Sequence, residues 1–301
     1  MNKDLKITVF LGGISSEREI SLKTGNAIAN ALISEGYNVS LLDPNPEKGW
    51  SLPQGTDVVF LALHGEYGED GTVQSELDKL GIPYTGCGAE ASRIGFDKLL
   101  TREYAVAQGV LMPPAIILDK VSDVLPEGWN FPVVLKPLRQ GSSVGVQFVD
   151  RESDFKTALE KVFTFGEKVL MEKRIFGREL AVGIVDGEVL PIVEICPHSG
   201  VYDYKSKYTS GQTNYICPAK LDVQIVKKAG EMALKTFHAI GGKDYSRVDI
   251  IADKDGNCWV LEINTLPGMT ATSLLPKAAA AKGITFVTLC EKMLEMALRK
   301  I

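Results

Sequence analysis

The stretch 247–276 constrains the chain more than any other. Arg247-Val-Asp-Ile-Ile-Ala-Asp alternates charged and apolar residues, Asp255-Gly256 supplies a turn, and Cys258-Trp-Val-Leu-Glu-Ile-Asn returns with the same alternation. That is the pattern of a β-hairpin. Residues two apart on a strand share a face, so Arg247 and Asp249 point one way, as do Glu262 and Asn264. Folding at the turn brings Asp249 near Glu262 and Asn264, an all-oxygen cluster with an arginine beside it. Oxygen ligands suit Mg²⁺, which usually shares one or two carboxylates with substrate phosphates. An arginine there can neutralise a transferring phosphoryl group or a developing oxyanion. The plainer alternative is an exposed hairpin with charged outer residues. Thr265-Leu-Pro-Gly-Met-Thr follows directly and favours the metal site, because a Pro-Gly turn aims backbone N–H groups back at it.

A chain of 301 residues outgrows a single core, so two or three subdomains are expected. No apolar run approaches the ~20 residues that span a bilayer. The N-terminus enters a strand at once and carries no secretory signal; a cytoplasmic protein without membrane partners is expected. The five cysteines are dispersed and form no CxxC pair, which argues against a disulfide framework and a structural zinc. Cys258 and Cys290 sit in apolar surroundings and read as buried hydrophobes. A net charge of −5 argues against nucleic acid as a partner. Any anionic ligand must be met by lysines and arginines placed locally.

The chain opens with strand, helix, strand and strand: Lys6-Ile-Thr-Val-Phe, a helix to Gly36, Asn38-Val-Ser-Leu-Leu and Val58-Val-Phe-Leu. This order predicts a parallel sheet with right-handed crossovers, whose ligands bind beyond the carboxyl ends of the strands. Glu17 lies at one such end and His64 and Glu69 at another. Each is either turn or helix-dipole chemistry or part of a site, and Glu17 suits a cationic substrate group. Gly12-Gly13 lacks the rest of a dinucleotide fingerprint, which argues against a dehydrogenase. A helix is expected from Lys98 to about Gln108, and Phe131-Pro-Val-Val-Leu-Lys136 is a strand ending in a lysine. The Gly141-Ser-Ser-Val-Gly145 loop that follows is either a flexible surface hairpin or a phosphate-binding loop, and Lys136 favours the second. It is no Walker loop, since GxxxxGK[ST] is missing. Further helices are expected over 152–163, 222–240, 274–282 and 286–300. The polar, aromatic stretch 198–215 reads as a lid loop.

Five motifs in order resemble the D-alanine–D-alanine ligases, within the ATP-grasp carboxylate–amine ligases. They are Gly12-Gly-x-Ser-x-Glu17-Arg-Glu-x-Ser21, Leu63-His-Gly-x-x-Gly-Glu-Asp-Gly71, Lys136-Pro with Gly141-Ser-Ser-Val-Gly145, Tyr204-x-x-Lys207-Tyr208, and Glu262-x-Asn-Thr-x-Pro-Gly-Met-Thr-x-x-Ser273. The resemblance spans nearly the whole chain. It implies a mixed α/β (α+β) ATP-grasp fold with an N-terminal Rossmann-like parallel-sheet domain. Expected domains are 1–96, a central ATP-grasp subdomain 97–180, and a C-terminal subdomain 181–301 bearing the lid and metal site.

The implied reaction joins two D-alanines to D-alanyl-D-alanine, through an acylphosphate made from ATP, for peptidoglycan synthesis. By resemblance, Glu17 would hold the ammonium of the first D-alanine, with His64 nearby. Lys98 and Lys136 would bind phosphates under the loop of Ser142 and Ser143. Glu172 would accept from the adenine amino group, Lys173 and Ile175 would meet the purine edge, and Glu179 the ribose. Lys207 would reach the γ-phosphate. Asp249, Glu262 and Asn264 would hold two Mg²⁺ (or Mn²⁺). Arg247 and the Gly268 N–H would form the oxyanion hole, and Ser273, with Leu274 beside it, would anchor the second carboxylate. Glu17, Ser142 and Tyr208 would form a hydrogen-bonded set joining the first domain to the lid. In that family a tyrosine at the position of Tyr208 accompanies D-alanine as second substrate and a phenylalanine accompanies D-lactate. The resemblance also implies a homodimer. The competing readings are another ATP-grasp ligase such as a D-alanine–D-lactate ligase, a nucleotide-binding regulatory module, and a purely structural α/β protein. One departure from the family pattern is the segment Gly242-Lys-Asp-Tyr-Ser, expected to alter local packing without touching the ligands.

Overall fold

The computed structural model describes residues 2–198, 200, 209 and 211–300. Strands β1 (Lys6–Phe10), β2 (Asn38–Leu42) and β3 (Val58–Leu61) form a parallel sheet in the order β2-β1-β3, as the opening pattern requires. Helix α1 (Arg18–Ser34) makes the first crossover and buries Ile28, Ala29 and Leu32. Helices α2 (Thr72–Leu80) and α3 (Ala89–Phe96) were not legible as separate elements. α4 (Lys98–Ala107) begins at the expected place, where the Asp97 side chain accepts from Leu99 N at 2.9 Å and caps it.

Strands β4 (Ala115–Leu118), β5 (Val133–Pro137), β6 (Gln147–Val149) and β7 (Val169–Lys173) form an antiparallel sheet in the order β4-β7-β5-β6. Alternation divides its faces. Val133, Leu135, Val149 and Met171 meet Phe155, Leu159 and Val162 of α5 (Glu152–Phe163) in one core. Val134, Lys136, Phe148 and Glu172 look the other way.

A second antiparallel sheet holds β8 (Arg178–Val185), β9 (Glu188–Val189), β10 (Val193–Pro197), β11 (Thr213–Ile216), β12 (Tyr245–Ala252) and β13 (Cys258–Asn264). Leu180, Val182 and Ile184 pack with α3, α4 and α6 (Val223–Ala239), while Ala181 and Val185 face α7 (Leu274–Ala281) and α8 (Phe286–Leu298). At Gly183 an added Cβ would stand 2.7 Å from Leu275 Cδ1, so the glycine lets α7 sit close.

Two sequence-based boundaries shift. Residue 180 lies inside β8, and α4 shares its core with the second sheet rather than the first. The expected loop 198–215 ends in a strand: Thr213–Ile216 pairs antiparallel with β10, since Thr-Asn-Tyr-Ile suits a strand once an edge is offered. The 242–247 departure is a junction. Asp244, at φ 62°, accepts from Gly86 N at 3.0 Å and pairs with Lys300 at 2.6 Å, and Tyr245 is buried beside Thr85. Cys258 and Cys290 are buried, as expected. No helix of the described residues is long and apolar enough to cross a membrane.

Candidate active site

The hairpin forms as the alternation predicts. Asp249 stands opposite Glu262, and Arg247 opposite Asn264. A bulge interrupts the pairing: Ile250 faces Val260, so Leu261 is the extra residue. Without it, Glu262 would share a face with buried Val260; with it, Leu261, Glu262 and Asn264 all leave the core. Arg247 makes a two-pronged contact with Asp249, Nε to Oδ1 at 2.7 Å and a terminal nitrogen to Oδ2 at 2.8 Å. Asn264 Nδ2 approaches Asp249 Oδ2 at 3.4 Å. Two carboxylates and an amide fit a hard cation whose remaining ligands come from phosphate and water. Among the described residues no group of three or more His, Cys, Asp and Glu could cage a metal alone.

The hairpin is the common wall of two cavities. The first lies between the two antiparallel sheets and encloses about 1090 Å³, partly open to solvent. Lys98, Lys136, Ser143, Glu172, Lys173, Ile175, Glu179, Asp249 and Glu262 all line it, with Val134, Phe148 and Ile251 as apolar walls. Its buried lysines are paired: Lys136 Nζ lies 2.5 Å from Glu172 and Lys98 Nζ 3.7 Å from Glu262, and Arg102 stands 3.6 Å from Glu172. Lys98 Nζ also donates to Gln140 O at 2.6 Å, tying α4 to the Gly/Ser loop. Glu172 is 2% exposed, and its Oε1, 3.6 Å from the Arg102 guanidinium, accepts no hydrogen bond from the described residues. A buried carboxylate oxygen that makes no hydrogen bond is costly, and a ligand N–H would offset that cost.

The second cavity, also partly open, spans about 1630 Å³ with the solvent at its mouth and gathers Glu17, His64, Ser142, Arg247, Asn264, Gly268, Ser273 and Leu274. Glu17 is 6% exposed at the start of α1. Ser142 Oγ donates to Glu17 Oε1 across 125 residues of chain. Ser142 and Ser143 both adopt positive φ, 49° and 59°, backbone strain of the kind found at ligand clamps. Gly141 is required for the approach, since a Cβ there would lie 2.6 Å from Glu17 Oε2. Ser273 Oγ accepts from Thr270 N at 3.0 Å, and Gly268 lies against it. Lys207 and Tyr208 lie outside the described residues.

Burial, and then the Arg247 charge, push the His64 imidazole down to about 4, so it is neutral. Its Nε2 lies 3.2 Å from Thr24 Oγ1. Glu69, which the sequence left open between turn chemistry and a site, lines the second cavity. Its carboxylate accepts from Gly65 N at 2.6 Å, and burial, then the Glu17 charge, push it up to about 8. Its place in the second motif was the available signal. Lys277 and Tyr215 also line this cavity; Lys277 was signalled only by lying one helical turn beyond Ser273.

Two antiparallel sheets closing on a lysine-lined cleft, with an oxygen-rich hairpin at its end, define an ATP-grasp protein. Residues 51–87 match the family described as D-ala D-ala ligase N-terminus, and residues 116–295 match D-ala D-ala ligase C-terminus. The chain belongs to the D-alanine–D-alanine ligase family. It is 45% identical over 290 residues to the D-alanine–D-alanine ligase of Methylacidiphilum infernorum, covering 96% of this chain and 94% of that protein. It is 44% identical to that of Aquifex aeolicus, covering 94% and 97%. The solved D-alanine–D-alanine ligase of Bacillus anthracis complexed with ATP superposes with a TM-score of 0.84 at 34% identity, covering 98% of both chains.

Proposed function

We propose that this protein joins two D-alanines to D-alanyl-D-alanine, converting ATP to ADP and phosphate, as the names of its relatives suggest. The observation that carries the reading is the shared hairpin wall: Glu262 faces the cleft with the lysines, while Arg247 and Asn264 face the cavity with Glu17 and Ser273. The first D-alanine would place its ammonium at Glu17, and its carboxylate oxygen would attack the γ-phosphorus of ATP, releasing ADP. The amine of the second would attack the resulting acylphosphate carbon. Arg247 and the Gly268 N–H would take the oxyanion charge until phosphate leaves. Lys98 and Lys136 would hold phosphates, Glu172 the adenine amino group, Lys173 and Ile175 the purine edge and Glu179 the ribose. Ser142 and Ser143 would cover the site with Lys207 and Tyr208, excluding water from the acylphosphate. Asp249, Glu262 and Asn264 would hold two Mg²⁺ (or Mn²⁺), which supply charge neutralisation at phosphate oxygens.

The family likeness alone supports three further proposals: the three-domain division, a homodimer, and a cytoplasmic role in peptidoglycan precursor synthesis.

The test is phosphate release with Mg-ATP and D-alanine, beside L-alanine and D-alanine plus D-lactate, with products identified by mass. D-Ala-D-Ala as the product supports the reading. Release only with another acid and nucleophile keeps the chemistry and discards the substrate. Tyr208→Phe is expected to move preference from D-alanine toward D-lactate as second substrate, and an unchanged ratio removes Tyr208 as the determinant.

A further inference from the structure

The amino-acid cavity holds a cation that none of the assigned roles uses. Lys277 lies in the first turn of α7, its backbone N–H bonded to Ser273 O at 3.0 Å, so the two residues share one helix face. Its ammonium stands 5.4 Å from the centre of the Tyr215 ring on β11, and both side chains line the cavity. Such a contact holds a lysine over an aromatic face. The acids of the same cavity, Glu17 and Glu69, come from the start of α1 and from the loop between β3 and α2, and Lys23 reaches it from α1. Both acids and Lys23 thus come from the N-terminal segment, whereas α7 contributes a base from the opposite end of the chain.

Ser273 is the N-cap of α7, yet its hydroxyl makes no capping hydrogen bond. It is tied instead to Thr270, accepting from the backbone N–H at 3.0 Å and pairing with Thr270 Oγ1 at 2.8 Å. A carboxylate brought here meets one shared hydroxyl and helix N–H groups with only partial positive charge. A desolvated carboxylate needs a full counter-charge. We propose that Lys277 is a specificity residue of the second amino-acid subsite, pairing with the α-carboxylate of the acceptor beside Ser273. The assignment rests on the ligase reading above. It makes the enzyme select an acceptor with a free carboxylate, and it gives β11 a function, as the strand that carries the aromatic platform.

The experiment is initial-rate analysis of the full-length enzyme and its K277M, K277Q and K277R variants with Mg-ATP. D-alanine is varied to resolve both amino-acid KM values, and D-alaninamide serves as an alternative acceptor. Loss of a charged hydrogen bond corresponds to about 10- to 100-fold, so K277M is expected to raise KM for the second D-alanine by that factor. The kcat, the KM for the first D-alanine and that for ATP should stay within about threefold. K277R should restore the second KM, and K277M should lose the preference for D-alanine over D-alaninamide. K277Q keeps the aliphatic stem over Tyr215 and gives the same readout if K277M misfolds. An unchanged second KM, or a parallel rise in all three, overturns the assignment while the ligase reading stands. A wild-type enzyme that releases no phosphate with D-alanine overturns both.

Discussion

The nucleotide cleft takes its walls from strand neighbours, whereas the amino-acid cavity takes its walls from across the chain. In the cleft, Lys136 and Glu172 sit on adjacent strands β5 and β7, and Asp249 and Glu262 on adjacent strands β12 and β13. In the cavity, Glu17 and Ser142 meet across 125 residues, and His64, Arg247 and Ser273 come from three further segments. The cleft's Lys98 and Lys136 are already paired with its acids, so a charged ligand there exchanges one set of ion pairs for another. The cavity keeps Glu69 protonated and His64 neutral by burial. Sheet pairing fixes each wall of the first, whereas every wall of the second depends on contacts between segments far apart in the chain. Perturbations of the two should therefore separate kinetically.

The largest expected effect is at the shared wall. Arg247→Ala should lower kcat by ~10²–10³, the scale for losing an oxyanion donor, with little change in the KM for ATP. Near-normal turnover would contradict that role. A rise in the KM for ATP matching the fall in kcat would show that Arg247 serves the cleft through Asp249, and the two regions would not be separable.

A smaller effect should arise where the loop meets the cavity. In Gly141→Ala the new Cβ would stand 2.6 Å from Glu17 Oε2, forcing apart the Glu17–Ser142 contact. Losing a charged hydrogen bond corresponds to roughly tenfold or more, and that loss should fall on the KM for the first D-alanine. Nucleotide binding, measured directly by titration with ATP alone, should hold. Equal weakening of both would mean that the loop is one rigid unit serving both regions.

The same contrast governs what could be read from sequence. The hairpin and the nearness of Asp249 to Glu262 and Asn264 followed from alternation and one Asp-Gly turn, because strand periodicity is local, while their register depends on the bulge. Lys136 at a strand end and the Gly-Ser-Ser loop were legible for the same reason. Helices α2 and α3 were not, being short and lying where motif glycines dominate the pattern. The bulge at Leu261 was hidden because alternation looks unbroken on the Glu262 side of it. The contact between Glu17 and Ser142 had no local signature, and only the family resemblance paired them. Glu69 was legible as a polar residue beyond the end of a parallel strand, whereas Lys277 entered the cavity through packing that no periodicity encodes.

The last effect is on stability rather than turnover and reports the cavity's burial directly. In the unfolded chain the His64 imidazole titrates near 6.5, whereas in the fold it titrates at about 4. Between those values the unfolded chain binds more protons, so stability falls as pH drops from 6.5 through 4. A shift of that size is worth on the order of 3 kcal/mol in full, since each unit is about 1.4 kcal/mol. Glu69 acts with the opposite sign. Its folded value, about 8, lies above the ordinary 4.5, so its contribution is complete below 4.5 and lost as pH rises through 8. His64→Gln should flatten the acid side of a melting-temperature profile taken from pH 7 to pH 4.5 and leave the alkaline side as it was. If the acid side is unchanged, His64 is hydrated in solution, and the cavity is closer in character to the open cleft than its burial indicates.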